Sequence, residues 1–276
     1  MNLYRGCTHG CIYCDSRSLC YHNPIPFEDI EVKQNAAELL EDRLRRKREK
    51  CMIGTGAMCD PYMHCEKDLR LTRRCLEIID RYDFGLAIQT KSDLIMRDID
   101  LLESINKKSK CVVQMTLTTY DEALCRKIEP NVCTTRRRYE VLKEMQARGI
   151  PTIVWMTPDL PFINDTEENL YGILGYCKDA GVKGIIKFDF GVTLRAGDRE
   201  SLYKCFDKEF PGMNQMYQQK FGYAYQVSSP NRNQLMTKFR TFIRENNLLM
   251  DNQCFEYMHL FPQKEPPKPI QGELEF

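Results

Sequence analysis

The sequence predicts an α/β protein: a partial (β/α)6 barrel followed by a C-terminal helical extension. Short apolar runs rich in β-branched residues alternate along the chain with segments whose apolar residues recur at helical spacing. Apolar runs without polar alternation are typical of parallel strands that are buried on both faces. The chain has 276 residues, which is enough for one large barrel-like domain.

Each element of the predicted barrel can be placed in order. The predicted strands are 2–5, 51–54, 85–90, 111–117, 151–156 and 184–189. The predicted helices between them are 32–48, 69–82, 93–106, 134–148 and 166–180. Ser92 is suited to cap the third helix, while Gly149 and Gly181 are suited to end the fourth and fifth. The repeated order of helix, glycine, short loop and buried strand predicts right-handed crossovers throughout.

The pattern also predicts three regions along the chain. Residues 1–190 form the core barrel, because no change of composition interrupts the βα repeat before that point. Residues 191–250 have a broken helical pattern and are expected to form the C-terminal helical extension. Residues 251–276 end in the segment PQKEPPKPIQGELEF, so we expect an extended, proline-rich tail.

Composition narrows the functional class. The formal net charge is +1, so no global field steers the protein toward nucleic acid or membrane. No apolar run is long enough to span a bilayer, and the first residues lack the apolar core of a signal peptide. Fourteen cysteines without an export signal indicate a reducing compartment. We therefore expect a cytoplasmic protein whose closely spaced cysteines bind a metal or a cluster.

The segment NLYRGCTHGCIYC places Cys7, Cys11 and Cys14 in a C-x3-C-x2-C pattern. Three thiolates at this spacing can ligate three corners of an iron–sulfur cubane. The fourth iron then stays open to a further ligand, as catalytic metal sites keep one position open. Gly6 and Gly10 allow the backbone to turn tightly around such a group.

Other interpretations of these cysteines stay open at this point. A zinc ion would take the three thiolates together with His9 or Cys20 as a fourth ligand. Ordinary buried thiols are a second alternative, because fourteen cysteines place some close together by chance. Either alternative predicts a non-catalytic binding module or a structural site rather than an enzyme.

A series of longer motifs follows the cysteines in a fixed order. They are YRGCTHGCIYC at 4–14, GTGAMCDPY at 54–62, LTRRCLEII at 71–79, QTKSDLIMRDIDLL at 89–102, QMTLTTYDEALCRKIEP at 114–130 and ARGIPTIVWMTPDLPFIND at 147–165. Through these motifs, which span about residues 2–190, the chain resembles the radical SAM superfamily. More narrowly, it resembles the spore photoproduct lyase-like family, often labelled DNA repair photolyases.

The resemblance implies a TIM-like partial barrel with two cofactors, a [4Fe–4S] cluster and S-adenosylmethionine (SAM). An electron from a donor such as flavodoxin or ferredoxin would cleave SAM into methionine and a 5′-deoxyadenosyl radical that abstracts a substrate hydrogen. The narrower resemblance implies lyase chemistry on a nucleic-acid lesion, with DNA as the partner. A peptide or a small metabolite is the alternative substrate.

The resemblance also implies roles for single residues. Lys91 matches the lysine that contacts the SAM carboxylate, and Thr116 matches a hydroxyl residue that serves the methionyl group. Thr157 falls where a backbone contact to adenine is made, and Asp60 lies in the loop that receives the SAM amino group. All four follow predicted strands, at the end where barrel enzymes carry their active sites.

Two further site residues are predicted near the cysteines. Tyr13 precedes Cys14, which would place an aromatic ring beside the cluster and near the adenine. Spore photoproduct lyase returns a hydrogen atom to its substrate radical from a cysteine near the second strand. The candidate here is Cys59, although the alignment offsets it by about two residues and puts Ala57 in that place.

Two basic runs are candidates for contacts to phosphates. They lie at 43–50, on the first predicted helix, and at 136–138. The alternative for both is a solvated helix face, because acidic residues are interspersed with the first run.

Overall fold

The computed structural model of the protein describes residues 1–262. The strands are β1 (Tyr4–Arg5), β2 (Glu31–Val32), β3 (Met52–Thr55), β4 (Gly85–Thr90), β5 (Cys111–Thr116), β6 (Thr152–Trp155), β7 (Gly184–Ile186), β8 (Gly191–Thr193), β9 (Gln226–Ser228) and β10 (Leu249–Met250). The helices are α1 (Ala36–Arg46), α2 (Glu66–Leu69), α3 (Leu71–Arg81), α4 (Ile99–Lys108), α5 (Glu122–Ile128), α6 (Thr135–Ala147), α7 (Glu167–Asp179), α8 (Asp198–Glu209), α9 (Met213–Phe221), α10 (Arg232–Glu245) and α11 (Asn252–His259).

Six parallel strands form the central sheet, in the order β10-β7-β6-β5-β4-β3. From β3 to β7 each strand pairs with the next one in sequence, after a helical crossover. The two outer strands, β3 and β10, are not paired with each other. The predicted α/β partial barrel is therefore confirmed, and all strand carboxyl ends meet at one end, which we call the mouth.

The helices cover the outer face of the sheet because their apolar stripes match the strands beneath them. Cys75 and Ile79 of α3 belong to the same buried cluster as Leu86, Ile88 and Val113 of the strands. Burying each large aliphatic side chain contributes about 1.5–3 kcal/mol. The predicted helix start at Ser92 is also confirmed. Its Oγ accepts a hydrogen bond from the backbone of Leu94 at 3.2 Å and caps a 3-10 helix, Asp93–Asp98, that leads directly into α4.

The last helix differs from its prediction. Within the segment expected to be an extended tail, 252–259 form α11, with Cys254 and Met258 on one buried face. These side chains pack on inner-face residues of the sheet, so α11 occupies part of the barrel interior. The i, i+4 spacing of the two apolar residues explains the helix. Residues 263–276, the rest of the predicted tail, lie outside the described residues.

The sixth strand of the sheet also differs from the sequence-based expectation. The predicted first strand, at 2–5, forms instead a small antiparallel ribbon in which β1 pairs with β2. The sixth place in the sheet is taken by Leu249–Met250, which pairs with β7. The barrel therefore draws a strand from beyond the predicted boundary at residue 190.

The predicted C-terminal extension, residues 191–250, is not only helical. It contains an antiparallel pair, β8 with β9, and α8 and α9. Phe206 and Tyr217 of these helices share a buried cluster with Ile12 and Tyr13, so the extension packs directly on the cysteine loop. No helix within residues 1–262 has both the length and the apolar character needed to cross a bilayer.

Candidate active site

The cysteine loop follows β1 and turns through two glycines in left-handed conformations. Gly6 has φ of 83° and Gly10 has φ of 70°. A side chain at Gly6 would bring its Cβ within 2.6 Å of the Phe27 carbonyl oxygen, and Cys7 N donates to the same oxygen at 2.9 Å. The local fold therefore requires glycine at this turn.

Backbone hydrogen bonds fix the loop to the segment after α5. Ile12 N donates to the Ile128 carbonyl at 3.0 Å, and Asn131 N donates to the His9 carbonyl at 3.2 Å. The Asn131 side chain adds a bond to the Thr8 carbonyl at 3.0 Å. Three of the loop's backbone groups are thus satisfied by one short segment at the mouth, which holds the loop over β5.

A fully buried ion pair lies beneath the loop. Arg138 Nη1 lies 2.5 Å from Glu129 Oε2, and neither side chain is exposed. The Tyr13 hydroxyl donates to the other oxygen of Glu129, while Arg138 also donates to the carbonyls of Thr116 and Cys133. Burial acts to raise the pKa of Glu129, but Arg138 outweighs it and holds that pKa below its usual value. The pair therefore stays charged and connects the loop to β5 and α6.

One small cavity at the mouth, which we call the thiol cavity, brings most of the predicted site residues together. It has a volume of about 90 Å³. Its lining includes the three predicted cluster ligands and four other predicted residues: Cys7, Cys11, Cys14, Cys59, Asp60, Lys91 and Thr116. Tyr13 and Thr157 are not part of its lining.

The chemistry of the three thiols fits a cluster. Burial raises the pKa of Cys7 to about 12 and raises that of Cys11 as well, so coordination must displace their protons. Within residues 1–262, no three or more His, Cys, Asp or Glu side chains converge closely enough to hold one metal ion. Thiolates are the usual ligands of iron–sulfur clusters, and three of them at one cavity leave one iron open to a further ligand, so these residues fit a [4Fe–4S] cluster.

The two fourth ligands considered for zinc have other partners. His9 Nδ1 lies 3.4 Å from the Asp60 carboxylate. Cys20 Sγ accepts from Ser18 Oγ at 3.2 Å and from Arg195 at 3.6 Å, outside the thiol cavity. Neither arrangement completes a tetrahedral set with the three cysteines.

Lys91 presents a partly buried cation to the thiol cavity. Burial acts to lower the pKa of Lys91, but the neighbouring Cys11 and Glu129 outweigh it, and the pKa lies above its usual value. Its Nζ lies 5.8 Å from the centre of the Tyr13 ring. A permanent ammonium at the carboxyl end of β4 can bind a carboxylate.

Tyr13 and Asp60 make contacts that the sequence did not reveal. Burial and Glu129 raise the pKa of Tyr13 well above its usual value, and its hydroxyl is already bonded within the protein. Asp60 accepts hydrogen bonds from Thr90 Oγ1 at 2.7 Å and from Lys91 N at 2.8 Å. Its carboxylate therefore joins the loop after β3 to the end of β4.

Cys59 and Thr157 occupy different places at the mouth. Cys59 lines the thiol cavity, is 5% exposed, and donates its thiol hydrogen to the Tyr4 carbonyl at 2.9 Å. Burial raises the pKa of Cys59 to about 11, so it is a neutral thiol at physiological pH. Thr157 follows β6, on the far side of the mouth from β3.

Sequence analysis did not predict the roles of three residues that shape this site. His9 is 3% exposed and forms a wall between the thiol cavity and a larger outer cavity of about 850 Å³. Glu129 and Arg138 form the buried pair, although Arg138 belongs to a basic run for which a solvated helix face was the alternative. The only signal for Glu129 was its place directly after the apolar end of α5.

Comparisons with known proteins agree with this geometry. A family model described as the Radical SAM superfamily matches residues 1–174. An uncharacterized protein from Mycobacterium tuberculosis is 27% identical over 261 residues, covering 92% of this chain and 76% of that protein. An uncharacterized protein from Methanocaldococcus jannaschii is 34% identical over 169 residues, covering 60% of this chain and 62% of that protein.

The fold is also similar to solved structures of spore photoproduct lyase. A double mutant of that enzyme, with bound AdoMet and dinucleoside spore photoproduct, has a TM-score of 0.63 and 14% sequence identity. The match covers 91% of this chain and 75% of that one. At this identity the likeness establishes the shared fold.

Proposed function

Because this chain belongs to the radical SAM superfamily, we propose that Cys7, Cys11 and Cys14 hold a [4Fe–4S] cluster on which SAM is cleaved and that a substrate hydrogen is abstracted. The observation that carries the proposal is that these thiols share one cavity with Lys91 at the strand carboxyl ends. When bound, the cluster and SAM supply the radical, and the protein positions the reactants and excludes water.

The lining residues have distinct parts in this proposal. The Lys91 ammonium pairs with the SAM carboxylate, and Thr116, 3% exposed on β5, offers a hydroxyl to the methionyl group. Asp60 fixes the backbone of Lys91 and so positions it, in addition to facing the amino group. Cys59, kept neutral by burial, has the S–H bond that a hydrogen-atom donor needs.

The proposed substrate is a nucleic-acid lesion, and a surface of the extension supports it. Tyr223 is 92% exposed and Tyr225 is 57% exposed. Arg199 lies 5.7 Å from the ring of Tyr223, and Arg195 lies 5.6 Å from that of Tyr225. Exposed aromatic rings beside arginines are typical of surfaces that stack unpaired bases. The Leu19 N–H donates to the Ala196 carbonyl at 2.9 Å, which holds this surface beside the cysteine loop.

The first basic run does not support contact with a substrate at the mouth. Residues 43–46 form the end of α1, which leads into the beginning of β3, so they lie at the end of the barrel opposite the mouth. Arg45 and Arg46 are both paired with Asp42, at 3.1 and 2.7 Å. This run is a solvated helix end.

The outer cavity supports a docking place for the electron donor, such as flavodoxin or ferredoxin. His9 separates the outer cavity from the thiol cavity, and exposed Lys67 and His64 lie on its rim. The His9 and His64 rings meet edge to face, with centres 5.8 Å apart. Electrons would therefore cross only a short distance through the protein from the surface to the cysteines. The positive charge of Lys67 would attract an acidic electron donor to this place.

Anaerobic reconstitution tests the core of the proposal. We expect a brown protein with about four irons per chain, which releases 5′-deoxyadenosine from SAM after reduction. Cys11→Ser should lose cluster loading, whereas Cys20→Ser, outside the thiol cavity, should keep it. A fully loaded enzyme that forms no 5′-deoxyadenosine would contradict the proposal.

Isotope transfer tests the substrate. With a deuterated DNA lesion, deuterium should appear in the 5′-deoxyadenosine. Deuterium transfer from a peptide or a small metabolite, with none from the lesion, would replace the nucleic-acid substrate by that class.

A further inference from the structure

A second cavity adjoins the thiol cavity on the inner face of the barrel, and no role described so far uses it. It has a volume of about 390 Å³, which is at the lower end of the range for small-ligand sites. Ala57 and Gln89 line both cavities, so the two spaces are neighbours across one wall. We call this second cavity the amide pocket.

Two aromatic rings line one side of the amide pocket, and a third ring packs against both of them. Trp155 and Phe255 line it, with ring centres 5.7 Å apart in an edge-to-face arrangement. Phe188 stacks on Phe255 at 6.0 Å and lies edge-on to Trp155 at 6.5 Å. Such a group of rings can hold a further flat ring by stacking and edge contacts.

Phe188 is held in this group at a conformational cost. Its φ is 52°, in the left-handed region that a bulky residue rarely adopts, and its side chain is 52% exposed. The Asp251 carboxylate stabilises this turn by accepting from the N–H groups of Lys187 at 2.8 Å and Phe188 at 2.9 Å. Strain at a half-exposed apolar residue is typical of functional sites, because burial does not offset it.

Two side-chain amides line the pocket together with the rings. Gln114 Oε1 accepts from Trp155 Nε1 at 2.8 Å, which orients its Nε2 as a donor for another partner. The Gln89 amide has no hydrogen-bond partner among residues 1–262, and it retains both a donor and an acceptor for a ligand. Gln89 and Gln114 are paired neighbours on β4 and β5, so their side chains share one face of the sheet.

A glycine leaves the opposite wall open. Gly54 lies on the edge strand β3, and a Cβ at this position would meet no atom within 4 Å. A side chain at position 54 would therefore start in open space at the edge of the pocket.

We propose that the amide pocket binds one planar heteroaromatic ring with adjacent hydrogen-bond acceptors and donors on its edge, a nucleobase. Gln89, Gln114, Trp155 and Phe255 determine this specificity, and Phe188 positions the two rings from behind. The inference rests on the proposed function and names the part of the substrate that the barrel recognises. The ring fits the aromatic side, and its polar edge fits the two amides. A peptide group lacks the aromatic ring, and a phenylalanine side chain lacks the polar edge.

Binding to the unreduced holoenzyme with SAM tests the proposal, because no turnover is needed. Thymidine is the probe; dihydrothymidine keeps the polar edge but loses aromaticity, and N-acetylphenylalanine amide keeps a ring without that edge. We expect thymidine to bind about tenfold more tightly than either analogue by anaerobic calorimetry. Trp155 is the single tryptophan of the chain, so its fluorescence reports whether thymidine occupies this pocket.

Two substitutions locate the site. Gln89→Leu removes the unpartnered amide, and Gly54→Val fills the free space; each should weaken thymidine binding about tenfold. Gly175→Val is the matched control. A Cβ at this position would also have no atom within 4 Å, but Gly175 lies on the outer helix α7, away from the pocket. Thermal melting and iron content show that each variant is folded and loaded.

Two results would overturn the inference: equal binding of N-acetylphenylalanine amide, or unchanged thymidine affinity in both pocket variants. Failure of the proposed function looks different. In that case the reduced wild-type enzyme forms no 5′-deoxyadenosine, whether or not thymidine binds.

Discussion

The two halves of the barrel mouth are built from different chemistry. The β3–β5 half carries charges and hydrogen bonds: the Glu129–Arg138 pair is fully buried, and Asp60 bonds to two neighbouring elements. The β6–β7 half also holds a buried ion pair, between Lys187 and Asp159, but it adds aromatic rings, of which Phe188 is half-exposed and Trp155 only partly buried. The first half is fixed by the protein alone, whereas the second leaves apolar surface that a ligand can cover.

This difference indicates which half of the mouth stabilises the fold and which half is available for binding. A buried ion pair that is held by further hydrogen bonds, as Arg138 is by the carbonyls of Thr116 and Cys133, keeps one geometry, and breaking it leaves an uncompensated charge. A half-exposed ring in a strained turn contributes little to folding. The cofactor half should therefore respond to substitution mainly through stability, and the other half mainly through binding.

The largest loss of stability is expected from breaking the buried Glu129–Arg138 ion pair. Arg138→Met leaves the Glu129 carboxylate buried without its cation, which should lower the free energy of unfolding by about 3–5 kcal/mol. Denaturant unfolding of the metal-free and loaded protein measures it. Arg138→Met combined with Glu129→Gln should recover most of the loss, because no charge is left buried. A single-variant cost below about 1 kcal/mol would contradict the importance given to this pair.

A smaller loss of stability is expected when the hydrogen bonds accepted by Asp60 are removed. Asp60→Ala removes the acceptor for the Tyr62 and Lys91 N–H groups and for Thr90, which should cost about 1–3 kcal/mol. Asp93→Ala is the matched control: its ion pair with Arg137 is exposed, so the change should stay within about 0.5 kcal/mol. Equal changes in melting temperature for the two substitutions would contradict the structural role given to Asp60.

The exposed rings of the extension should affect nucleic-acid binding without affecting stability. Tyr223→Ala should weaken binding of single-stranded DNA about tenfold, since stacking on one ring contributes about 1–3 kcal/mol. Arg45→Gln with Arg46→Gln, at the opposite end of the barrel, should leave the affinity and its salt dependence unchanged. Fluorescence anisotropy over a range of salt concentrations measures both. A larger effect of the Arg45 and Arg46 changes would move the DNA surface to the other end.

A small change in stability is expected from substitution of Phe188. Asparagine tolerates the left-handed conformation, so Phe188→Asn should leave unfolding within about 1 kcal/mol of wild type, or make the protein more stable. Thymidine binding should nevertheless weaken. Phe190→Asn is the contrast, because that ring is 1% exposed; its loss should cost about 3–5 kcal/mol. A loss at Phe188 as large as at Phe190 would show that Phe188 is a core residue.

Much of the fold follows from local patterns in the sequence. Each predicted strand between 85 and 156 matches an observed strand within one or two residues, because continuous apolar runs leave few alternatives for a buried parallel strand. Leu249–Met250 was missed because a two-residue strand has no period. The helical spacing of Cys254 and Met258 was present, but the prolines that follow suggested an extended chain.

The candidate site was likewise predictable where it depends on a local motif and unpredictable where it depends on residues distant in sequence. The cysteine triplet is a local motif, so its spacing alone predicts that the three thiols can meet. Arg138 could not be distinguished from Arg136 or Arg137 in sequence, although only Arg138 is buried, because its partner Glu129 is brought close by the turn between α5 and α6. The same holds for Asp60 and Tyr13, whose partners come from other strands and loops.

The contacts of the cysteine loop also set an order of events during synthesis. The loop precedes its partners in the chain, because its backbone is held by Ile128 and Asn131, and the turn that follows it by Ala196. Chains fold from the amino terminus onward as they are made, so the nascent loop lacks these partners until most of the protein has been translated. Iron and sulfide are therefore expected to enter a nearly complete protein rather than template its folding.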